Sequence, residues 1–338
     1  MAENREAGDD LLTYREPVGE RAGARVWAAL WVVYLVWGST YLAIRVGVQP
    51  THGEGIPPLI MAGMRFTTAG VLMLVLFVRR PAPDDAPDPL GWRQWGAAAI
   101  IGCALLLGGN GLVSIAEKRI PSGIAAVVVA TVPTWAAVLG AMFGLEKVTL
   151  RHAAGLALGF AGVAALVVGH GSGKIDAVGV ITVVIAALSW AAGSVWALRA
   201  PTVRRPLVMV GMEMVGGGLG CTIVGLARGE IGDFHPGAVP TRSWVALVYL
   251  VVAGSMLAYT AYVWLLHNAR LSLVTTYTYV NPIVAVALGA LILDESLSLR
   301  TVLASAAIVV GVMLIIRRTT KSPEDVPAEV LEPECVTR

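Results

Sequence analysis

The sequence predicts an all-α membrane protein of ten transmembrane helices, arranged as two inverted five-helix repeats. Composition is the first reason: 56 % of the 338 residues are hydrophobic and 14 % charged, too few polar groups to coat a soluble domain, so lipid must supply the solvent. The second is a set of ten apolar windows, each long enough to cross about 30 Å of hydrocarbon as a helix. The third is a duplication. Pro133, Glu146, Arg151, Gly162 and Val163 recur at a constant offset of 149 as Pro282, Glu295, Arg300, Gly311 and Val312. Each copy holds five spans, an odd number, so the second copy enters the bilayer upside down relative to the first, an arrangement that points to carriers.

The polar, mixed-charge stretch 1–25 precedes span 1 (26–48), whose long apolar run continues into further spans and therefore reads as an uncleaved anchor rather than a signal peptide. Spans 2 (57–79), 3 (93–116), 4 (121–143) and 5 (150–169) complete a first repeat over 26–169. Spans 6 (176–198), 7 (206–227), 8 (243–267), 9 (271–293) and 10 (299–316) form the second over 176–317. Most connections are short; only 80–92 and 228–242 are longer, and none has room for a folded soluble domain. The 318–338 tail, with prolines and five carboxylates from Ser322 onward, reads as disordered. With the N-terminus inside, seventeen Lys and Arg fall on inner segments against six on outer ones, so both termini are expected in the cytoplasm and the chain in the plasma membrane. That topology accounts for the net charge of +2, which gives no sign of a nucleic-acid partner.

Charge inside the bilayer costs several kcal/mol unless it is paired or wet. Arg65 lies seven residues after Pro58 in span 2, and Glu213 seven after Pro206 in span 7, so the repeats place opposite charges at equivalent positions, each about 5 Å from its span's midpoint. Two readings stay open. Each group pairs locally and orients its helix, or Glu213 takes up protons or engages cations while Arg65 anchors anions or joins a gating network. Span 1 carries Tyr34, Trp37, Tyr41 and Arg45 on one stripe, and span 3 carries Asn110, Ser114 and Glu117 on another. Span 6 repeats the spacing with Ser189, Gly193 and Trp196, and span 8 with Ser255, Tyr259 and Tyr262. Such stripes either line a cavity or pack against neighbours. Pro133 and Pro282 occupy equivalent places in spans 4 and 9 and read as paired hinges or as static kinks; Asn281 is also a candidate hydrogen-bond partner for a solute. The glycine pairs Gly140–Gly144, Gly155–Gly159 and Gly216–Gly220 are spaced for helix contact. Spans 5 and 10, almost wholly apolar, are expected to meet lipid or a second copy of the chain in a homodimer.

Several segments carry a family resemblance: VYLVWGSTYLAIRVGV at Val33–Val48, PPLIMAGMRF at Pro57–Phe66, GNGLVSIAE at Gly109–Glu117, PSGIAAVVVATVP at Pro121–Pro133, MEMVGGG at Met212–Gly218 and TYTYVNPIVAV at Thr276–Val286. Covering nearly the whole membrane region, they resemble the ten-helix EamA-type members of the drug/metabolite transporter superfamily, and most the YedA-like exporter subfamily. The chain departs from the family in a loop before span 9 two residues shorter than its counterpart before span 4, and in Asp294-Glu295 where Gly-Glu is usual. The resemblance implies a central cavity lined by spans 1, 3, 4, 6, 8 and 9 and export of small metabolites or drugs by alternating access. Uptake or exchange, and a non-transporting receptor or scaffold, are the alternatives. The expected substrate-lining set is Trp37, Tyr41, Asn110, Trp135, Trp190, Tyr259, Tyr262, Tyr277 and Asn281, with Arg65, Glu213, Arg45 and Glu117 as charge or coupling groups. Trp and Tyr walls suit amphipathic, aromatic or cationic solutes, amino acids among them. No enzyme is expected. The five histidines form no HExxH pattern, Cys103, Cys221 and Cys335 have no metal or disulfide spacing, and Gly169–Lys174 only superficially resembles a phosphate loop. No cofactor or metal is implied, and transport would draw on solute gradients, protons or the membrane potential.

Overall fold

The computed structural model describes residues 20–78, 90–144, 150–167, 175–269, 271–274, 276–295 and 298–316. Residues 1–19 of the N-terminal stretch, the 318–338 tail, Glu146 of the repeat signature, the Gly169–Lys174 loop and many of the residues that set the expected orientation lie outside them, while 20–25, expected in the tail, open the first helix. Ten helical rods follow one another: α1 (Glu20–Val48), α2 (Pro58–Phe77), α3 (Trp92–Ala116), α4 (Ser122–Met142), α5 (Leu150–Val167), α6 (Ala177–Ala197), α7 (Pro206–Ala227), α8 (Thr241–Asn268), α9 (Tyr277–Leu293, after a single turn at Leu271–Val274) and α10 (Leu299–Ile316). They match the ten expected spans in order. Seven of them, α1 to α4 and α6 to α8, are each long and apolar enough to cross a membrane.

Helix ends follow local chemistry. α2 and α7 both open on a proline, Pro58 and Pro206, where the missing N–H costs nothing. α6 starts at Asp176, whose Oδ1 accepts the Gly179 N–H at 3.0 Å while Oδ2 meets Arg119 at 3.1 Å. The Gly179 N–H foremost, with Arg119 behind it, holds this exposed carboxyl below the usual carboxylate range. Other ends are capped across the repeats. Glu230, after α7, accepts the Leu59 and Ile60 N–H groups at the start of α2 (2.9 and 3.2 Å), and Arg205 donates to the Phe77 and Val78 carbonyls at its far end (3.0 and 2.9 Å). Glu295, after α9, accepts from the Ser122 N–H (2.8 Å), the Ser122 hydroxyl (2.9 Å) and the Gly123 N–H (3.3 Å) at the start of α4. Asp294 makes this possible by taking a left-handed conformation (φ 53°), which turns the chain back so that the Glu295 N–H bonds the Gly289 carbonyl.

Equivalent helices of the two repeats pair with each other. α2 lies along α7, and α5 along α10. Lipid gives no hydrophobic drive for such pairing, so close backbone packing must supply it. At Gly70 a Cβ would sit 2.7 Å from both the Gly211 carbonyl oxygen and the Val215 nitrogen, and at Gly102 it would collide with the Glu213 carbonyl. α7 therefore packs against α2 through one side and α3 through another, with Gly216 and Gly220 on the α3 side. Gly311 of α10 likewise faces the Gly155 carbonyl and Gly159, and Arg300 at the head of α10 donates to the Ala165 carbonyl of α5. Spans 5 and 10 thus meet each other, leaving Phe160, Val302, Leu303 and Val310 on the outside. The opposite faces of the other rods also carry exposed apolar residues, such as Val75, Leu76, Ile223, Val245 and Val248, as a lipid-facing surface requires.

Two helices are not regular. α3 widens into π turns over Cys103–Gly111, and α8 does so over Leu250–Leu257, at nearly the same place in each repeat. α4 breaks at Ala130–Thr131, where the Thr131 N–H and hydroxyl both turn to the Val128 carbonyl, and restarts at Val132 with Pro133 in its first turn. α9 by contrast runs unbroken through Pro282. The symmetric prolines therefore stand in different local structures.

Gly102→Ala should lower the melting temperature of the purified protein by an amount corresponding to about 1–3 kcal/mol, because backbone rather than a yielding side chain opposes the new methyl. Gly96→Ala, which meets nothing within 4 Å, should leave it unchanged or raise it. Asp294→Gly should be stabilising by about 1 kcal/mol, since glycine adopts the left-handed region without the Cβ penalty. Thermal unfolding in one detergent checks all three.

Candidate functional site

The irregular segments surround a central cavity of roughly 930 Å³ of empty space, its open mouth included. α1 contributes Trp37, Thr40, Tyr41 and Ile44; α3, Gly109, Asn110 and Val113; α4, Ala126, Val129, Ala130, Val132 and Pro133; α6, Ala186, Ala187 and Trp190. α8 contributes Tyr259, α9 contributes Tyr277, Thr278, Asn281 and Pro282, and α2 reaches in with Arg65. Both repeats build the walls.

Local structure aims these groups. The π turns of α3 carry Gly108 and Gly109 against Ser189 and Trp190 of α6, and put Asn110 on the cavity side. The π turns of α8 present Ser255 to Arg65, whose Nε donates to its hydroxyl at 2.9 Å, and the Gly254 carbonyl to Trp37 Nε1 at 3.1 Å. Arg65 is only 4 % exposed, and its guanidinium stands 4.5 Å from the Phe66 ring centre. Asn281, oriented so that both its amide atoms are satisfied, donates to the Tyr34 and Tyr277 carbonyls at 3.3 and 3.2 Å, linking α9 to α1.

The cavity is closed at one end, and at the other only along the side formed by α1, α8 and α9. At the Glu295 end, Arg45 donates to the Glu117 and Ile120 carbonyls, joining α1 to the α3–α4 turn, while Glu295 joins that turn to α9 and Gly123 packs onto Val286. At the Tyr34 end, Trp37 stands 5.1–5.2 Å from the rings of Tyr259, Tyr262 and Tyr277, and the Tyr34 and Thr276 hydroxyls bond. The side wall is uneven. The Ser122–Val129 half of α4 packs on α9, whereas the Val132–Met142 half leaves α9 for α6, so the wall parts beside Pro133 and Pro282.

The expected site residues fall into three groups. Trp37, Tyr41, Asn110, Trp190, Tyr259, Tyr277, Asn281, Arg65, Pro133 and Pro282 line the cavity. Tyr262 and Arg45 stand behind it in the two seals. Trp135, Glu117 and Glu213 are away from it: Trp135 packs edge-on against Phe160 of α5 at 5.1 Å. Glu213 sits on α7, whose backbone meets α3 at Gly102, and among the described residues no ion pair joins it to Arg65. Glu117 is fully enclosed at the end of α3, and neither carboxyl oxygen has a hydrogen-bond partner among the described residues. Three participants escaped the sequence reading. Thr40 and Thr278 line the wall, and Glu295 caps α4; only Glu295 left a signal, as a repeated position.

Comparison with known proteins agrees with this architecture. The EamA-like transporter family matches the chain twice, over residues 26–168 and 177–317. The inner membrane transporter YedA of Escherichia coli strain K12 is 40 % identical over 294 residues, which span 86 % of this chain and 90 % of YedA. The transporter YvbV of Bacillus subtilis is 24 % identical across 77 % of this chain and 82 % of its own. A solved crystal structure shares the fold at a TM-score of 0.54 and 19 % identity, covering 88 % of this chain and 99 % of that one. The chain is therefore a multi-pass membrane transporter of two five-helix repeats and belongs to the EamA-like transporter family within the drug/metabolite transporter superfamily.

Proposed function

We propose that the protein is an inner-membrane carrier that exports small amphipathic metabolites or drugs by alternating access, with both termini in the cytoplasm. The observation that carries this reading is the central cavity, built from both repeats and bounded by α4 and α9 in contact at one end and apart at the other. Rocking of one repeat against the other would exchange these ends. Under the expected topology the Glu295 seal faces outward, so the parted wall faces the cytoplasm, the side from which an exporter loads. Trp190 and Tyr277 offer stacking faces, Asn110 and Asn281 orienting amides, and Pro133 and Pro282 the bends beside the opening. Names of relatives as transporters support a carrier over an enzyme. Uptake or exchange differs from export only in the direction of net flux.

Glu117 is the coupling candidate that the geometry favours over Glu213. Its unpartnered carboxyl belongs to the residue whose main-chain carbonyl accepts from Arg45 in the seal, and an ionised, unpaired carboxylate in such an enclosure would be costly, which fits a group that moves a proton as the seal opens.

Overproduction in a transporter-poor host, with solutes in the medium compared by mass spectrometry at matched expression, tests the reading. The wild type should enrich a small set of solutes. Trp190→Ala should cut their release about tenfold by losing a stacking wall, and Trp135→Ala, outside the cavity, should change it less than twofold. No solute moved by the wild type in either direction would overturn the carrier. Glu117→Gln should keep downhill flux yet make it insensitive to an imposed proton gradient; retained gradient dependence would remove Glu117 from the coupling role.

A further inference from the structure

We propose that the solute is an amphipathic monoanion whose acidic group is held by the terminal guanidinium nitrogens of Arg65; this rests on the carrier reading above. Arg65 is the only charged residue in the cavity wall, as far as the described residues go. Its Nε is fixed by the Ser255 hydroxyl and its guanidinium carbon lies over the Phe66 ring, whereas its two terminal nitrogens have no hydrogen-bond partner among the described residues. A guanidinium enclosed in this way, oriented through one nitrogen and offering two more to a cavity, is a preformed fork for a carboxylate or a similar oxyanion.

The rest of the charge distribution points the same way. Both carboxylates placed by sequence as functional groups lie off the cavity wall, Glu117 behind the α3 end and Glu213 on α7, and Arg45 is spent on main-chain carbonyls. The wall thus presents a single positive charge in a poorly polarisable setting, where Coulomb interactions are strong. An amine entering there meets a like charge and finds no carboxylate among the described wall residues, only ring faces and amide oxygens. The remaining wall is mostly aromatic and aliphatic, with Trp37, Trp190 and Tyr277 available for an apolar body. This sets aside cationic solutes, which Trp and Tyr walls alone would also admit.

A charge series on one body tests the inference. The full-length protein in lipid nanodiscs would be titrated with 3-phenylpropionate, 3-phenylpropionamide and 3-phenylpropylamine, reading thermal stabilisation and the Kd drawn from it. The acid should bind about tenfold or more tightly than the amide, and the amine no better than the amide. In Arg65→Gln the preference for acid over amide should shrink to within about threefold, with Arg65→Lys intermediate because it keeps the charge but not the fork. Should Arg65→Gln fail to fold, the wild-type series and Arg65→Lys still decide. An amine or amide bound as tightly as the acid, an acid preference that survives Arg65→Gln, or no binding of any of the three would each overturn the inference. Solute release that proves confined to amines would overturn it too while leaving the carrier intact, so the two readings fail separately.

Discussion

The close backbone contact of α7 with α2 and α3 is the constraint on which the rest of the structure depends. In lipid, apolar side chains gain nothing by leaving their surroundings for one another, and only intimate packing distinguishes the right neighbour. Glycines at 70, 102, 211 and 217 let main chain meet main chain across the repeat boundary. That junction holds α2 firmly enough to carry Arg65 at 4 % exposure, and it sets α3 beside α6, where the π turns open. Polar groups then satisfy what packing cannot: Glu230, Arg205 and Glu295 reach from the second repeat to the helix ends of the first. The two repeats are thereby tied at the periphery, and the centre is left hollow.

α1 is the axis of that hollow. Its single stripe runs from the Tyr34–Thr276 bond through the Trp37 ring cluster and the cavity face of Tyr41 to the Arg45 contacts with the α3–α4 turn. One helix face therefore touches both seals and the space between them. The seals differ in chemistry. One is a cluster of four rings; the other joins an arginine, helix-end carbonyls and a carboxylate cap, with the unpartnered Glu117 carboxyl near it.

Much of this was legible in the sequence, and the part that was not has physical reasons. Ten spans, their inversion and the stripe of α1 follow from hydropathy, parity and helical period, which act locally. Which of Arg65 and Glu213 faces the cavity does not, because both sit at the same register of equivalent helices; the difference lies in the helix each one meets. Trp135 shows the same limit: it is two residues past Pro133, and the break at Ala130–Thr131 turns it toward Phe160. The paired prolines, read as hinges or as static kinks, stand in different local structures: α4 breaks before its proline while α9 runs straight through, since the backbone responds to Thr131 as well as to Pro133. The π turns left only glycine-rich runs as their trace. Caps such as Glu230 on α2 join residues 171 positions apart, beyond the reach of any local pattern.

Alternating access requires α4 and α9 to exchange contact between the two ends of the cavity. Distances between paired spin labels would measure this most directly: Lys118→Cys with Ser298→Cys at the Glu295 end, and Met142→Cys with Leu273→Cys at the other, in full-length protein in nanodiscs with and without solute. Alternating access predicts two populations in which one distance lengthens as the other shortens, shifting together when solute is added. Distances that stay fixed at both ends, or that lengthen together, would contradict it.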